Sequence, residues 1–230
     1  MAILSNSKHA SQAAQQLHIF VLGSPKVMWN DQLIEIPRRR ARALLIRLAA
    51  RLDAVSRDHL CFLFWPDAPD ITARRNLSHL LTHLRLALPI PDVITTAGDV
   101  VSLDSTRVWV DTVHLHQMCC SGEATLDPSV CWQALDLIRG PFLDGFSLPH
   151  CPEYELWVIQ EQQHWDCQIL RLLSKLTFDG APPPYPGENV TPSESTPDSR
   201  QLAAQIERRL AQVLLSQVRV AIENASSLEL

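Results

Sequence analysis

The sequence predicts a mainly α chain with small β content: an N-terminal sheet, three helices and a C-terminal hairpin, followed by a wholly helical stretch. Three observations predict it. Short β-rich runs stand at both ends of the first 110 residues, apolar stripes at helical spacing lie between them, and the charge changes sign near residue 110. Residues 1–110 carry 13 basic and 9 acidic residues, whereas residues 111–179 carry 3 and 10. Such asymmetry suggests a module for a polyanion joined to a module for something else.

The first element is a polar leader, residues 1–16, expected to be disordered. Leu17-His18-Ile19-Phe20-Val21-Leu22, Lys26-Val27-Met28-Trp29 and Leu33-Ile34-Glu35-Ile36 then read as strands of a small antiparallel sheet, punctuated by Gly23-Ser24-Pro25 and Asn30-Asp31. Pro37 ends the last of them. Ala41, Leu44, Leu45, Leu48 and Leu52 mark one face of a first helix, with Arg39, Arg40, Arg42 and Arg47 on the other. Ser56 is a suitable N-cap for a short second helix carrying Leu60, Leu63 and Phe64, and Asp58 in its first turn suits the helix dipole. The loop from Trp65 to Asp70 leads to a third helix striped by Leu77, Leu80, Leu81, Leu84 and Leu88, which Pro89 and Pro91 stop. Val93–Thr96 and Val100–Leu103 read as a hairpin around Ala97-Gly98-Asp99, and Val108-Trp109-Val110 as a closing strand.

From Asp111 the pattern is helical and acidic, with helices near 112–120, 128–139 and 153–176 interrupted at Gly140-Pro141. Residues 179–199 hold six prolines and read as a linker. Residues 200–225, with Leu202, Ile206, Leu210, Val213, Leu214 and Val218, are expected to form an amphipathic helix that needs a partner surface.

Composition bounds the rest. With 230 residues, 46% apolar and 20% charged, the chain has the make-up of a globular protein, and 7 Gly beside 16 Pro exclude a collagen-like repeat. No run approaches the ~18 apolar residues of a membrane span, and the leader lacks the apolar core of a signal peptide. The expected compartment is the cytoplasm. Cys61, Cys119, Cys120, Cys131, Cys151 and Cys167 include no C-x-x-C pair and are read as reduced thiols, several in the core.

The net charge of −5 argues weakly against a nucleic-acid partner, but residues 37–85 hold ten arginines against Asp53, Asp58, Asp67 and Asp70. On the third helix, advancing about 100° per residue from Leu77, Arg75, Thr82, His79 and Leu86 fall opposite the leucine stripe, flanked by Ser78, His83, Arg74 and Arg85. Arginine can fork onto guanine, hydroxyls can reach bases, and helix N-termini accept phosphate. A three-helix unit with this face outward and a hairpin behind it is how a winged helix enters a major groove. The expected base-facing residues are Arg75, Ser78, His79, Thr82 and His83. Arg38, Arg39, Arg40, Arg57, Arg74, Arg85 and Arg107 are expected on phosphates.

These residues also carry a resemblance. Ile36-Pro37-Arg38-Arg39-Arg40-Ala41-Arg42-Ala43-Leu44-Leu45, Val55-Ser56-Arg57-Asp58-His59-Leu60, Phe64-Trp65-Pro66-Asp67 and Ala73-Arg74-Arg75-Asn76-Leu77 resemble the winged helix-turn-helix domain of SARP-type bacterial transcriptional regulators, itself similar to OmpR-type output domains. Gly140-Pro141-Phe142-Leu143-Asp144-Gly145-Phe146 with Glu155-Leu156-Trp157 resembles the start of the bacterial transcriptional activation domain (BTAD), a TPR-like α-helical module. The resemblance spans residues 17–178. It implies a winged-helix DNA-binding domain at 17–110 and a partial activation domain at 111–178. It further implies a sequence-specific regulator that binds double-stranded DNA, with RNA polymerase contact, signal contact or a homodimer through the helical module. The family carries a basic residue where this chain has Ser78.

Other chemistries find less support. His116 and Cys120 share a helical face, but His114 and His116 point about 200° apart, so His114, His116, Cys119 and Cys120 read as a packed helix and no metal is expected. Cys167 near His164 has no orienting carboxylate. Without G-x-S-x-G, H-E-x-x-H or a phosphate loop, no enzyme and no cofactor are expected. The alternative of another class is a protein-interaction adaptor whose winged helix no longer binds DNA.

Overall fold

The computed structural model describes residues 16–120 and 128–178, with six α-helices and two small sheets among them. In chain order these are β1 (Leu17–Phe20), β2 (Lys26–Trp29), β3 (Gln32–Leu33), α1 (Arg39–Ala49), β4 (Val55–Ser56), α2 (Arg57–Phe64) and α3 (Asp70–Ala87). Then follow β5 (Ile94–Ala97), β6 (Val100–Leu103), β7 (Val108–Val110), α4 (Asp111–Cys120), α5 (Pro128–Asp136) and α6 (Pro152–Phe178). Sheet, three helices and hairpin follow one another in the expected order. Residues 1–15 of the leader, the linker 179–199 and the amphipathic segment 200–225 lie outside the described residues.

Alternation builds the first sheet. Leu17 and Ile19 are buried while His18 and Phe20 are half-buried, and β1 pairs antiparallel with β2. Asn30 and Asp31 both adopt positive φ, 49° and 61°, so a two-residue turn hands β2 to β3 with Trp29 opposite Gln32. Two expectations are corrected here. The sheet is not wholly antiparallel: its order is β3-β2-β1-β7, and β7 runs parallel to β1. Once β2 holds one edge of β1, the returning chain meets the other, where Leu17 N donates to Arg107 O at 2.9 Å and Val108 and Val110 join the buried face. The expected strand Leu33–Ile36 shrinks to Gln32–Leu33. Ile34 N still donates to Val27 O, but Ile36 must turn inward to be buried and Pro37 has no N–H to pair.

α1 is the centre of the core. Seven of its residues, from Ala41 to Ala49, are buried, and only its arginines reach outward. The helix stops at Ala49, so Leu52 does not continue the stripe and instead takes φ 51°. Ser56 Oγ accepts from His59 N at 3.2 Å, the expected cap of α2. Leu77, Leu80, Leu81 and Leu84 pack inward from α3, and the β5–β6 hairpin joins β4 in a second sheet ordered β4-β6-β5.

The acidic stretch begins on the winged unit itself. Asp111 is fully buried and accepts from Val21 N, Leu22 N and Thr112 N at 2.9–3.0 Å and from Arg139 at 3.0 Å. Burial pushes its carboxyl above the ordinary 3.8, while the N–H donors of Leu22, Val21 and Thr112 and the Arg139 charge oppose that rise. The Gly140–Phe146 loop closes on the same place: Gly23 N donates to Pro141 O, and Leu143 N to Val21 O. A Cβ on Gly140 would stand 2.7 Å from Gly23 Cα, so this approach requires glycine. Phe142 and Leu143 are buried, whereas Phe146 is only half-buried. Tyr154 is fully buried and reaches Ala43 O at 3.4 Å, and Arg47 lies 5.3 Å from the Trp157 ring centre.

The described residues fall into two compact units, divided after Gln162. The expected boundary after residue 110 differs from this division, because Asp111, Phe142 and Tyr154 all bond or bridge to residues 21–43. Cys61 and Cys151 are buried thiols. No helix among the described residues is long and apolar enough to cross a membrane.

Candidate nucleic-acid interface

α3 sets the geometry. Its leucines anchor one side, so Arg75, Ser78, His79 and Thr82 are exposed on the other, and His83 is half-buried at the flank. Ser78 Oγ donates to Arg74 O and Thr82 Oγ1 to Ser78 O, each at 3.0 Å. With their protons spent on the helix, both hydroxyls offer acceptor oxygens, which suit the amino groups of adenine or cytosine rather than a phosphate.

The two flanks of α3 differ. On one, Arg38, Arg40, Trp65, Asn76, His79 and His83 line a cleft of about 330 Å³. Arg40 is held there, its guanidinium 5.4 Å from the Trp65 ring centre and bonded to Cys151 Sγ at 3.2 Å. Arg38 is exposed at the N-cap of α1. Two arginines and two imidazoles around one small opening make a place for an anion. Trp65 and Asn76 were not among the site residues the sequence singled out, and the signal available was an aromatic residue immediately before Pro66 in the turn between α2 and α3.

On the other flank, Arg74 pairs with Asp58 and, at 3.0 Å, with Asp99 in the β5–β6 turn. The Asp99 hydrogen bond, then the Asp58 charge, holds the guanidinium proton more tightly than usual. The pairing joins α3, α2 and the hairpin, and Arg57 N adds a bond to Asp99 O at 2.8 Å. Arg85 donates to Ile94 O at 3.2 Å. These partners lie within the fold, so Arg74 brings two carboxylates with it to any phosphate.

The remaining arginines scatter. Arg39 lies against Phe146, 5.4 Å from its centre, and bonds Ser147 Oγ at 3.2 Å. Arg57 is half-buried at the start of α2. Arg107 precedes β7 in the first sheet, on neither α3 nor the hairpin. The structure thus brings Arg38, Arg40, His79 and His83 together beside Arg75, and sets Arg39 and Arg107 elsewhere.

No protein-family model and no curated protein matches the chain. Among solved structures it is similar to Mycobacterium tuberculosis EmbR in complex with a low affinity phosphopeptide, with a TM-score of 0.46 and 19% sequence identity over 94% of this chain and 61% of that one. The chain therefore spans about three fifths of that chain's length.

Proposed function

We propose that the protein is a sequence-specific DNA-binding transcriptional regulator, not an enzyme, in which residues 17–110 act as a winged helix with α3 in the major groove. The observation that carries this reading is the cationic cleft between the start of α1 and α3, adjoining an exposed row of Arg75, Ser78 and Thr82. A backbone phosphate seated on Arg38 and Arg40 fixes register, and the Arg75 fork then meets a guanine edge. Ser78 and Thr82 accept from base amino groups. His79 and His83 stand at the seam between base edge and phosphate. The helical segment 111–178, in this reading a partial TPR-like activation domain, supplies dimer, polymerase or signal contacts in the cytoplasm. The adaptor reading is favoured by the Arg74–Asp58–Asp99 pairing, which offsets one cation of the face.

Selection from a random duplex pool, followed by titration against salt, decides between the two. Neutralising four to six phosphates gives a log K against log salt slope of about −3.5 to −5.5. Arg75→Ala should cost roughly 1–3 kcal/mol on the selected site and relax one base pair, whereas Arg38→Ala should weaken selected and random DNA alike and flatten the slope by about one unit. No binding at low salt, or identical effects of both substitutions on both DNAs, refutes the reading.

A further inference from the structure

A groove of about 600 Å³ runs between the first sheet and α1, on residues the proposed DNA face does not use. It exists because β3 ends at Leu33: the chain from Ile34 to Pro37 crosses to α1 instead of extending the sheet, and leaves Val27, Leu33, Ile34 and Ile46 along the opening. Leu33 is 58% exposed there, a large apolar side chain largely open to solvent. Arg42 also lines the groove. Its side chain is half-buried, its Nε is buried without a hydrogen-bond partner, and its guanidinium carbon lies 5.6 Å from the centre of the Phe146 ring. A half-buried guanidinium whose Nε–H is unmet is costly unless a partner arrives. The other charges lining the groove are Lys26 and Glu35, so the lining carries a net single positive charge.

We propose that this groove binds a small apolar monocarboxylate, its hydrocarbon body along Val27, Ile34 and Ile46 and its carboxylate on Arg42. Size, mostly apolar walls and a few polar groups, Arg42, Lys26 and Glu35 among them, are the features of a small-molecule site. The planar guanidinium selects the acid, since its parallel N–H donors match the two oxygens of a carboxylate. The single net charge selects a monoanion over a dianion. Because the ligand touches α1, which carries Arg40 of the anion cleft and has Arg38 at its N-cap, occupancy is sensed by the helix that positions both arginines; the binding claim itself does not rest on the DNA reading.

Calorimetric titration of the full chain with decanoate, decanol and decylammonium below their micellar concentrations tests it, with methyl spectra locating the site. Decanoate should bind saturably and at least tenfold more tightly than decanol, decylammonium more weakly than either, and the shifts should centre on Leu33, Ile34 and Ile46. In Arg42→Gln, checked for an unchanged unfolding transition, the preference for acid over alcohol should fall to about one. If Arg42→Gln unfolds, Lys26→Gln with Arg42 intact should keep most of that preference. Equal binding of all three probes, absence of saturable binding, or a preference that survives Arg42→Gln overturns the proposal, whatever the DNA titrations show.

Discussion

Asp111 shows how much one side chain carries. Its carboxylate serves three backbone N–H groups and Arg139, so removing it strands donors in a place water does not reach. Asp111→Ala should lower the unfolding free energy by about 3 kcal/mol, read from urea denaturation. His59 provides a pH-dependent counterpart. Burial of its ring first, then the Arg47 charge, lowers its proton affinity below the ordinary 6.5 despite the opposing pull of Asp53. Above pH 6.5 both folded and unfolded chains leave it neutral; below that, the unfolded chain takes up the proton first. The stability it contributes is therefore present above pH 6.5 and lost as pH falls through the folded value. His59→Gln should narrow the gap between urea midpoints at pH 7 and pH 5 relative to the unsubstituted chain.

At the scale of elements, α3 is tied on one flank and open on the other. Arg74 is neutralised twice over by Asp58 and Asp99, and its side chain is 45% exposed, so the pairs contribute little stability. Their effect is on charge. Asp99→Asn removes a negative group from the hairpin turn and releases half of the hold on Arg74, at a position where the hairpin would meet backbone phosphate. Duplex affinity at low salt should rise, and the salt slope should steepen by up to about 0.9. The fold should keep its unfolding midpoint within the scatter of a surface substitution, because Arg57 N still bonds the Asp99 carbonyl. An unchanged slope would mean that the hairpin turn stays clear of the DNA.

For the whole molecule, the first compact unit runs to residue 162, well past the change in charge at 110. A chain ended after Thr112 keeps β7 and Asp111 but loses Arg139, Phe142, Tyr154 and Trp157, three of them buried against the unit's core. Large aromatic side chains deleted from cores cost several kcal/mol each. The 16–112 fragment should unfold at a clearly lower urea concentration than the 16–162 fragment, with a shallower transition. Equal midpoints would show that the acidic helices add nothing to the winged unit. Any comparison of DNA affinity between fragments has meaning only after both show a single cooperative transition.

The sequence by itself determined the order of elements, the Ser56 cap, the buried stripe of α3 and the outward row of Arg75, Ser78, His79 and Thr82, because these depend on neighbours within one helical turn or one strand. Local spacing carries that information. Only the tertiary structure decided which arginines stay available: Arg38 and Arg40 meet His79 and His83 across some forty residues of chain, while Arg74 is claimed by Asp99 and Arg39 by Phe146. The parallel pairing of β7 with β1, the close approach of Gly23 to Gly140 and the groove lined by Arg42 are of the same kind. Each joins segments far apart in the chain, and a charge at a given position reads the same in sequence whether its partner is a phosphate, a carboxylate or the face of a ring.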